Sequence, residues 1–375
     1  MRKVVYISGA RADFGLMRST LRRISEAPDL DLSIIVTGMH LSDAYGLTVS
    51  EIEGAGLPIA ARVETVLQPE SAANMARSIG TMVTEFTSAL EYEKPDIVLL
   101  LGDRGEMLAG AIAAIHLNVT VIHIHGGERS GSIDESVRHA ISKLAHVHCV
   151  ATEQSRKRLI AMGEAESNVH LTGAPGLDDL SEISLPEKDE LFGRFGFGLE
   201  KPMALFSYHP IVQQAGVGGY RTEQILEALF EEGWQVLALM PNSDAGSSEI
   251  REALTAEDHP DFVLEKHIPR DCFAGFLAHG DALVGNSSAG IIEAASFGIP
   301  VINVGGRQNL RERNANVVDV APERDALIDA LRYSQKNGRF PVENIYGDGK
   351  AGLRICDVLK AVEIDARMFN KIMAY

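Results

Sequence analysis

Short runs of branched apolar residues recur along the entire chain, and this recurrence restricts the fold more than any other feature. Runs in the first half begin at Val4, Leu32, Asp96, Val119, His146 and Val169. Runs in the second half begin at Met203, Trp234, Phe262, Ala282, Pro300 and Val317. Short, continuously apolar runs are typical of strands that are buried on both faces of a parallel sheet.

Amphipathic segments with helical spacing lie between the runs of the first half, at residues 17–25, 72–92, 106–116 and 135–145. This alternation predicts an α/β protein with doubly wound parallel sheets. A segment rich in proline and acidic residues, 174–187, separates the two series of strands, and 375 residues exceed what one core usually supports. We therefore predict two Rossmann-like domains that face a central cleft, residues 1–175 and 176–354, and a final helix over residues 353–375 that could pack on either domain.

The charge and cysteine content limit the partners and the location. A net charge of -17, without any run of lysines and arginines, repels nucleic acid, so we expect no nucleic-acid partner. Cys149, Cys272 and Cys356 form no disulfide or zinc pattern, which fits a reducing compartment. The apolar run near Met1 is too brief for a signal peptide, and no stretch has the length of a membrane span. We expect a cytoplasmic protein with no membrane partner.

Polar residues follow the predicted strands at their carboxyl ends, where open parallel sheets bind ligands. The set comprises Arg11, Asp103, Glu128, Asp134, His209, Ser287 and Ser288. Three of these are carboxylates, and carboxylates that converge in one cleft shift one another's proton affinities, which supplies an acid and a base near neutral pH. Taken singly, each carboxylate could be a solvated loop residue, and Asp134 could cap the helix that follows it.

The turn from Gly285 to Gly290 leads from a strand into a helix. Its amides could bind a diphosphate, or Ser287 or Ser288 could simply cap the helix. Because the chain lacks the full glycine fingerprint of dinucleotide-binding proteins, nicotinamide is not indicated and we expect no cofactor. His123 and His125 have no obvious third ligand, so we expect no metal.

Three arginines follow the fifth strand of the second domain: Arg307, Arg311 and Arg313. Guanidinium groups suit phosphate, so these arginines either bind an anion in the cleft or belong to a solvated surface loop. The glycine-rich segment 213–219 lies close in sequence to His209. We predict that this segment is a lid that orders on substrate, although a surface turn would have the same composition.

The motifs together resemble the hydrolysing UDP-N-acetylglucosamine 2-epimerases of sialic acid biosynthesis, over nearly the whole chain. They are SGARADFG from Ser8, TGMHLSDAYG from Thr37, LLGDR from Leu100, HIHGGERSGSIDESVRHAISK from His123, SYHP from Ser207, GNSSAGIIEA from Gly285 and GGRQNLRER from Gly305. The resemblance implies the GT-B fold, nucleotide binding mainly by the second domain, a last helix (355–375) that crosses back to the first domain, and a homodimer. It implies release of UDP and N-acetylmannosamine from UDP-N-acetylglucosamine.

Matched residue by residue, the resemblance implies that Asp103, Glu128 and Asp134 are catalytic and that His209 approaches the leaving diphosphate. The predicted substrate-binding residues are Arg11, Ser287, Ser288, Gly290, Glu293, Arg307 and Arg313. Non-hydrolysing relatives read closer to GTRPE, HVEAGLRTG and PEE where this chain has GARAD, HIHGGERSG and DES, and this contrast favours hydrolysis. Hydrolysing relatives that act on a bacillosamine-type sugar in legionaminic acid synthesis share much of the pattern and rank second.

The chemistry of the sugar suggests an order of events. The proton on carbon 2 is not adjacent to a carbonyl, so UDP must leave first; elimination then gives a glycal, to which water adds. The sequence does not decide which carboxylate is the acid and which the base. Two other readings keep the fold: a glycosyltransferase that passes the sugar to an acceptor, and a sugar-nucleotide sensor without catalysis.

Overall fold

Two parallel sheets, one in each half of the chain, organise the computed structural model. The structure describes residues 1–67, 71–130, 133–211, 216–241, 244 and 246–374, except the side chains of Ser181 and Glu182. The first sheet has the order β3-β2-β1-β4-β5-β6-β7 and the second the order β10-β9-β8-β11-β12-β13. The strands are β1 Arg2–Ser8, β2 Leu30–Thr37, β3 Ile59–Val63, β4 Ile97–Leu101, β5 Thr120–Ile124, β6 Val147–Val150, β7 Val169–Leu171, β8 Met203–Ser207, β9 Gln235–Leu239, β10 Phe262–Glu265, β11 Ala282–Gly285, β12 Val301–Val304 and β13 Val317–Val320.

Helices cover both faces of each sheet. They are α1 Arg11–Glu26, α2 Val49–Gly54, α3 Ala72–Glu93, α4 Gly105–His116, α5 Ile133–Leu144, α6 Glu153–Ala161, α7 Asp178–Glu182, α8 Lys188–Arg194, α9 Gly218–Glu231, α10 Ser247–Ala256, α11 Arg270–His279, α12 Ser288–Ile292, α13 Arg324–Asn337, α14 Ala351–Ala361 and α15 Ala366–Phe369. None of the helices in the described ranges has the length and apolar composition needed to cross a membrane.

The central strands contribute to two cores because their side chains alternate between the faces of the sheet. In β1, Val4 and Tyr6 belong to one cluster and Val5 and Ile7 to another. In β8, Ala204 and Phe206 likewise separate from Met203 and Leu205. All twelve predicted strands are present, and the expected pair of α/β domains is confirmed.

The strand that the sequence analysis missed is β3. It pairs with β2 at the edge of the first sheet, and four of its five residues are only partly buried or exposed. Its segment, IAARV, contains two alanines and an arginine, so it lacks the branched apolar run that marked the other strands. An edge strand that is half solvated does not need such a run.

The chain passes between the domains twice. The segment Pro175–Leu177 and α7 pack on α1, whereas α8 packs on α11 in the second domain. After α13 the chain returns, and α14 packs on α1. Asp178, fully buried, accepts hydrogen bonds from the amides of Ala351 (2.9 Å) and Gly352 (2.6 Å), so it caps α14 where the two passages meet.

The C-terminal segment differs from the single helix predicted over residues 353–375. The first helix, α14, ends at Ala361, and Val362 leaves the helical conformation with ψ of 124°. The carboxylate of Asp365 then accepts hydrogen bonds from the amides of Arg367 and Met368 and starts the short helix α15. An N-capping aspartate thus interrupts the predicted helix, and residues beyond Phe369 have no helical structure as far as they are described.

Candidate active site at the facing strand ends

The sheet orders change direction between β1 and β4 in the first domain and between β8 and β11 in the second. In open parallel sheets such switch points form crevices beyond the carboxyl ends of the strands. Asp103 and Arg104 follow β4, and Glu128 follows β5. His209 follows β8, and Asn286 follows β11. Both crevices therefore carry polar residues that are either predicted site residues or their neighbours in the sequence motifs.

Asp103 and Glu128 share a buried arginine. The guanidinium of Arg138, on α5, forms an ion pair with the carboxylate of Asp103. Its Nη1 also donates to the backbone oxygen of Glu128, at 3.1 Å. Arg138 is 1% exposed, so it can remain charged only with such partners. It fixes the loop after β4 relative to the loop after β5.

Glu128 is held by two groups from different domains. One carboxylate oxygen contacts Nδ1 of His125, and Oε2 lies 3.1 Å from Nη1 of Arg311 in the second domain. Burial alone would raise the pKa of Glu128, but Arg311 and His125 outweigh burial and lower the pKa to about 2. The residue is therefore ionised at neutral pH. The second nitrogen of the Arg311 fork, Nη2, lies 3.9 Å from Oδ2 of Asp103.

The two histidines of the H-x-H pair make different contacts. His123 is fully buried, with Nε2 2.7 Å from the carbonyl oxygen of Gly102 and Nδ1 3.1 Å from the hydroxyl of Ser142. His125 has φ of +62°, so the strand alternation stops there and its ring turns to Glu128. Over the part of the chain that is described, no group of three histidine, cysteine, aspartate or glutamate side chains is placed to hold a metal.

Asp134 lies in the first turn of α5, one residue inside the helix, rather than at the cap that was the simpler expectation. A carboxylate is favourable there because of the helix dipole. Glu106 raises the pKa of Arg104 despite burial, and the charges of Asp244 and Asp134 add to that effect. Arg104 bridges the domains, with Nε 3.4 Å from Glu106 and Nη2 3.5 Å from Asp244. Asp134 thus belongs to a charged group that includes an interdomain arginine.

His209 and Arg307 are organised by the buried amide of Asn286. The Oδ1 atom of Asn286 accepts from the backbone N–H of His209 at 2.7 Å, and its Nδ2 donates to the His209 carbonyl at 2.9 Å. The backbone oxygen of Asn286 accepts from Nη1 of Arg307 (3.2 Å) and from Nε2 of Gln308 (3.0 Å). Burial and then the charge of Arg307 lower the pKa of His209 to about 3, so its ring is neutral at physiological pH.

The residues from 287 to 293 have structural roles that the sequence analysis left open. Ser287 caps α12 by accepting from the amide of Ala289, as the simpler alternative had it. Ser288 is the first residue of that helix. A Cβ on Gly290 would lie 2.7 Å from Leu283 and 2.8 Å from a methyl group of Val301, so close packing of α12 against the sheet requires glycine there.

Three other predicted binding residues form ion pairs with side chains of the protein itself. Glu293 is buried and forms an ion pair with Arg270. Arg11 pairs with Glu51 and donates from Nη2 to the backbone oxygen of Ile268, at 2.7 Å, so it spans the two domains. Arg313 donates to Asp319 at 2.9 and 3.1 Å.

The structure therefore divides the predicted arginines. Arg307 lies beside His209, and Arg311 lies between Asp103 and Glu128, whereas Arg313 turns to β13. Of the two alternatives left open by the sequence, a position in the cleft describes Arg307 and Arg311, and a position away from it describes Arg313. The segment 311–313 is irregular, beginning with a bend at Arg311, so the side chains of Arg311 and Arg313 do not keep to one side as they would in a strand.

Two residues of the site, Arg138 and Asn286, had no role in the sequence analysis. Asp134 and Arg138 have the helical spacing of i and i+4, which could have indicated that they share a face. Nothing in the sequence marks Asn286 as more than part of a turn. Residues 213–215 of the predicted lid lie outside the described residues; of the remainder, Gly218 begins α9 and packs against Ile250.

The fold and this pair of facing crevices define a class. Two Rossmann-like domains with facing switch points constitute the GT-B fold, as the sequence predicted. The crystal structure of UDP-GlcNAc 2-epimerase from Neisseria meningitidis bound to UDP-GlcNAc matches with a TM-score of 0.80 and 20% identity, over 96% of this chain and 99% of that chain.

The family described as UDP-N-acetylglucosamine 2-epimerase matches residues 22–360, and the chain belongs to this family. The UDP-N,N'-diacetylbacillosamine 2-epimerase (hydrolyzing) of Legionella pneumophila is 47% identical over 376 residues, which cover 100% of both chains. A UDP-N-acetylglucosamine 2-epimerase of Neisseria meningitidis is 34% identical over 93% of this chain and 92% of the relative. The resemblance inferred from the motifs is confirmed.

Proposed function

We propose that the protein hydrolyses a UDP-linked 2-acetamido sugar with inversion at carbon 2, releasing UDP and the free epimerised sugar. One observation carries the proposal: carboxylates of the first domain interact with arginines of the second, Glu128 with Arg311 and Asp134 with Arg307, and the neutral His209 lies near Arg307. Glu128 is ionised at neutral pH, and His209 is neutral beside Arg307. Membership of the epimerase family, and the 47% identity to a hydrolysing member, support the proposal.

The reaction proceeds in two steps, elimination of UDP and then addition of water. The bond between carbon 1 and the diphosphate oxygen breaks, UDP leaves with the electron pair, and a carboxylate takes the proton from carbon 2 to give a glycal. Arg307 offsets the charge of the diphosphate, and the neutral ring of His209 donates a hydrogen bond to it. A carboxylic acid then gives a proton to carbon 2 from the opposite face, and the oxygen of water bonds to carbon 1 as a carboxylate takes the proton that the water loses.

Two sugars are candidates. The sequence motifs favoured UDP-N-acetylglucosamine, which would place the product, N-acetylmannosamine, in sialic acid biosynthesis. The higher identity to the diacetylbacillosamine enzyme, 47% against 34%, favours UDP-N,N'-diacetylbacillosamine. We therefore test the bacillosamine-type substrate alongside UDP-N-acetylglucosamine. Homodimerisation and a cytoplasmic location stay predictions.

The decisive experiment is proton NMR of the purified protein with each nucleotide sugar in deuterated water. We expect UDP together with a free 2-epimerised sugar that carries deuterium at carbon 2, from one substrate much faster than from the other. A UDP-linked epimer without free sugar would contradict hydrolysis. UDP release only in the presence of an acceptor would indicate a glycosyltransferase, and binding without turnover of either substrate would indicate a sensor.

Asp103→Asn supplies the matched variant, because the amide keeps the shape of the carboxylate and removes its charge. We expect turnover to fall by orders of magnitude while the fold is retained. Circular dichroism and thermal unfolding control for the fold. Near-normal turnover of this variant would remove Asp103 from the catalytic group.

A further inference from the structure

Arg311 belongs to the second domain but makes its side-chain contacts in the first. It lies on the segment that follows β12, and its side chain is 10% exposed. Nη1 is 3.1 Å from Oε2 of Glu128, and Nη2 is 3.9 Å from Oδ2 of Asp103. Both ends of the guanidinium fork are thus directed at carboxylates that the proposed function places in catalysis, rather than at the crevice of its own domain.

Contacts on either side hold this segment against both domains. Glu312 accepts a hydrogen bond from the hydroxyl of Thr152, in the first domain, and its backbone oxygen accepts from the hydroxyl of Tyr346 at 2.9 Å. Gln308 donates to the backbone oxygen of Asn286, at 3.0 Å, in the second domain. The position of Arg311 is therefore fixed by the relative placement of the two domains.

The charges show what Arg311 contributes. In the first domain the buried Arg138 pairs with the carboxylate of Asp103 and donates to the backbone oxygen of Glu128, while His125 contacts the carboxylate of Glu128. The guanidinium that pairs with the carboxylate of Glu128 comes from Arg311, across the cleft. A buried carboxylate that loses one of its cationic partners is strongly destabilised in its charged form and shifts in position or protonation.

We propose that Arg311 is a positioning residue through which the nucleotide-binding domain completes the carboxylate pair, so that Asp103 and Glu128 reach their working arrangement only when the domains close. The inference rests on the proposed function for the identity of the nucleotide. In this arrangement Arg311 orients the carboxylates, whereas Arg307, beside His209, binds the diphosphate. Product release would then open the cleft and withdraw the cation from Glu128.

The first test compares Arg311→Met with Arg311→Lys and with Arg332→Met. Arg332 pairs with Glu232 on the surface of the second domain. Its substitution is the control, because it removes the same positive charge at a position away from the cleft. We expect Arg311→Met to lower kcat about 100-fold, the size of loss seen when one oriented donor is removed, with KM and the Kd of UDP changed less than about threefold. Arg311→Lys should recover part of the loss, and Arg332→Met should behave as the wild type.

The second test is a double-mutant cycle with Glu128→Gln. If Arg311 acts through Glu128, its substitution should have little further effect on kcat in the Glu128→Gln background. Additive losses, or a tenfold or greater weakening of UDP binding by Arg311→Met with kcat retained, would overturn the inference and make Arg311 a phosphate ligand.

The third measurement does not depend on turnover. UDP should slow hydrogen exchange of the backbone amides of residues 124–128 in the wild type and in Arg332→Met, partly in Arg311→Lys, and not in Arg311→Met. If the wild type proves inactive on both sugars and UDP still protects this loop through Arg311, the proposed function fails and the inference stands. Equal protection in the wild type and in Arg311→Met would refute the inference whatever the activity.

Discussion

At the scale of single residues, the site depends on buried polar side chains that hydrogen-bond to the backbone of neighbouring functional residues. Asn286 is the clearest case. Its amide both accepts from and donates to the backbone of His209, as a neighbouring strand would. A residue that only accepts, or only donates, cannot make both bonds. The orientation of His209 toward the cleft therefore depends on an amide at position 286.

Asn286→Asp should lower kcat/KM by about 10- to 100-fold, because the carboxylate would face the His209 carbonyl without a proton to donate. Asn316→Asp is the matched control. The buried amide of Asn316 donates to the backbone oxygen of Ile299 at 2.8 Å, at the opposite end of the same sheet. Steady-state kinetics and thermal unfolding of both variants separate the effects.

Both substitutions should cost similar stability, since each leaves a carbonyl without its donor. Only Asn286→Asp should affect turnover beyond what its unfolding explains. Equal kinetic losses in the two variants would show that Asn286 has no special relation to His209.

At the scale of elements, the crevice of the second domain requires that β11 approach β8 closely at its end. Gly285 has φ of +136°, and a Cβ on this residue would lie 2.1 Å from the backbone oxygen of Ser207. Both the backbone conformation and the space exclude other residues. The glycine therefore brings Asn286 within reach of His209.

Gly285→Ala should lower the free energy of unfolding by about 3 kcal/mol or more, through backbone strain and overpacking together. Gly193→Ala is the control: Gly193 lies within α8, and nothing is within 4 Å of a Cβ built there. Alanine in that helix should instead add about 0.5 kcal/mol. Urea unfolding measures both changes, and a neutral result for Gly285→Ala would contradict the close approach.

At the scale of the whole molecule, the C-terminal segment ties the end of the chain to the first domain. Lys371 donates from Nζ to the backbone oxygens of Ser142, Lys143 and Ala145, at the end of α5, and pairs with Glu164 at 2.6 Å. Glu164 is buried and also contacts Lys143 and His148. Because α5 carries Asp134 in its first turn and Arg138 near its middle, this anchor supports the helix on which the carboxylate cluster depends.

Lys371→Met should lower the free energy of unfolding at pH 7 by about 2 kcal/mol, because a buried carboxylate loses one cationic partner. Burial raises the pKa of Glu164, but His148, Lys143 and Lys371 outweigh burial and lower it to about 2. Since an unfolded glutamate has a pKa of about 4.3, the stability from Glu164 is complete above about pH 5 and is lost as the pH falls toward 2.

The difference between Lys371→Met and the wild type should therefore be largest near neutral pH and should shrink toward pH 2. Lys336→Met, on the exposed face of α13, controls for the loss of one positive charge. Denaturant unfolding at several pH values measures the difference. A loss of stability independent of pH would show that Lys371 acts through the carbonyls alone.

The sequence by itself determined the α/β class, both series of parallel strands except β3, and the strand ends at which the functional groups lie. These features depend on short-range patterns, namely continuous apolar runs for buried strands and polar residues directly after them. It also determined family membership, because several spaced motifs agree along the chain. Asp103, Glu128 and His209 could be chosen as candidates for this reason.

Only the tertiary structure decided which charges meet. Arg311 and Arg313 are equivalent in sequence, yet one reaches Glu128 and the other Asp319. Asn286 and Gly290 look like parts of one phosphate-binding turn, yet one orients His209 and the other makes room for Leu283. Ion pairs and close packing depend on the distance between groups far apart in the chain, and that distance is set by how the two domains and their helices pack.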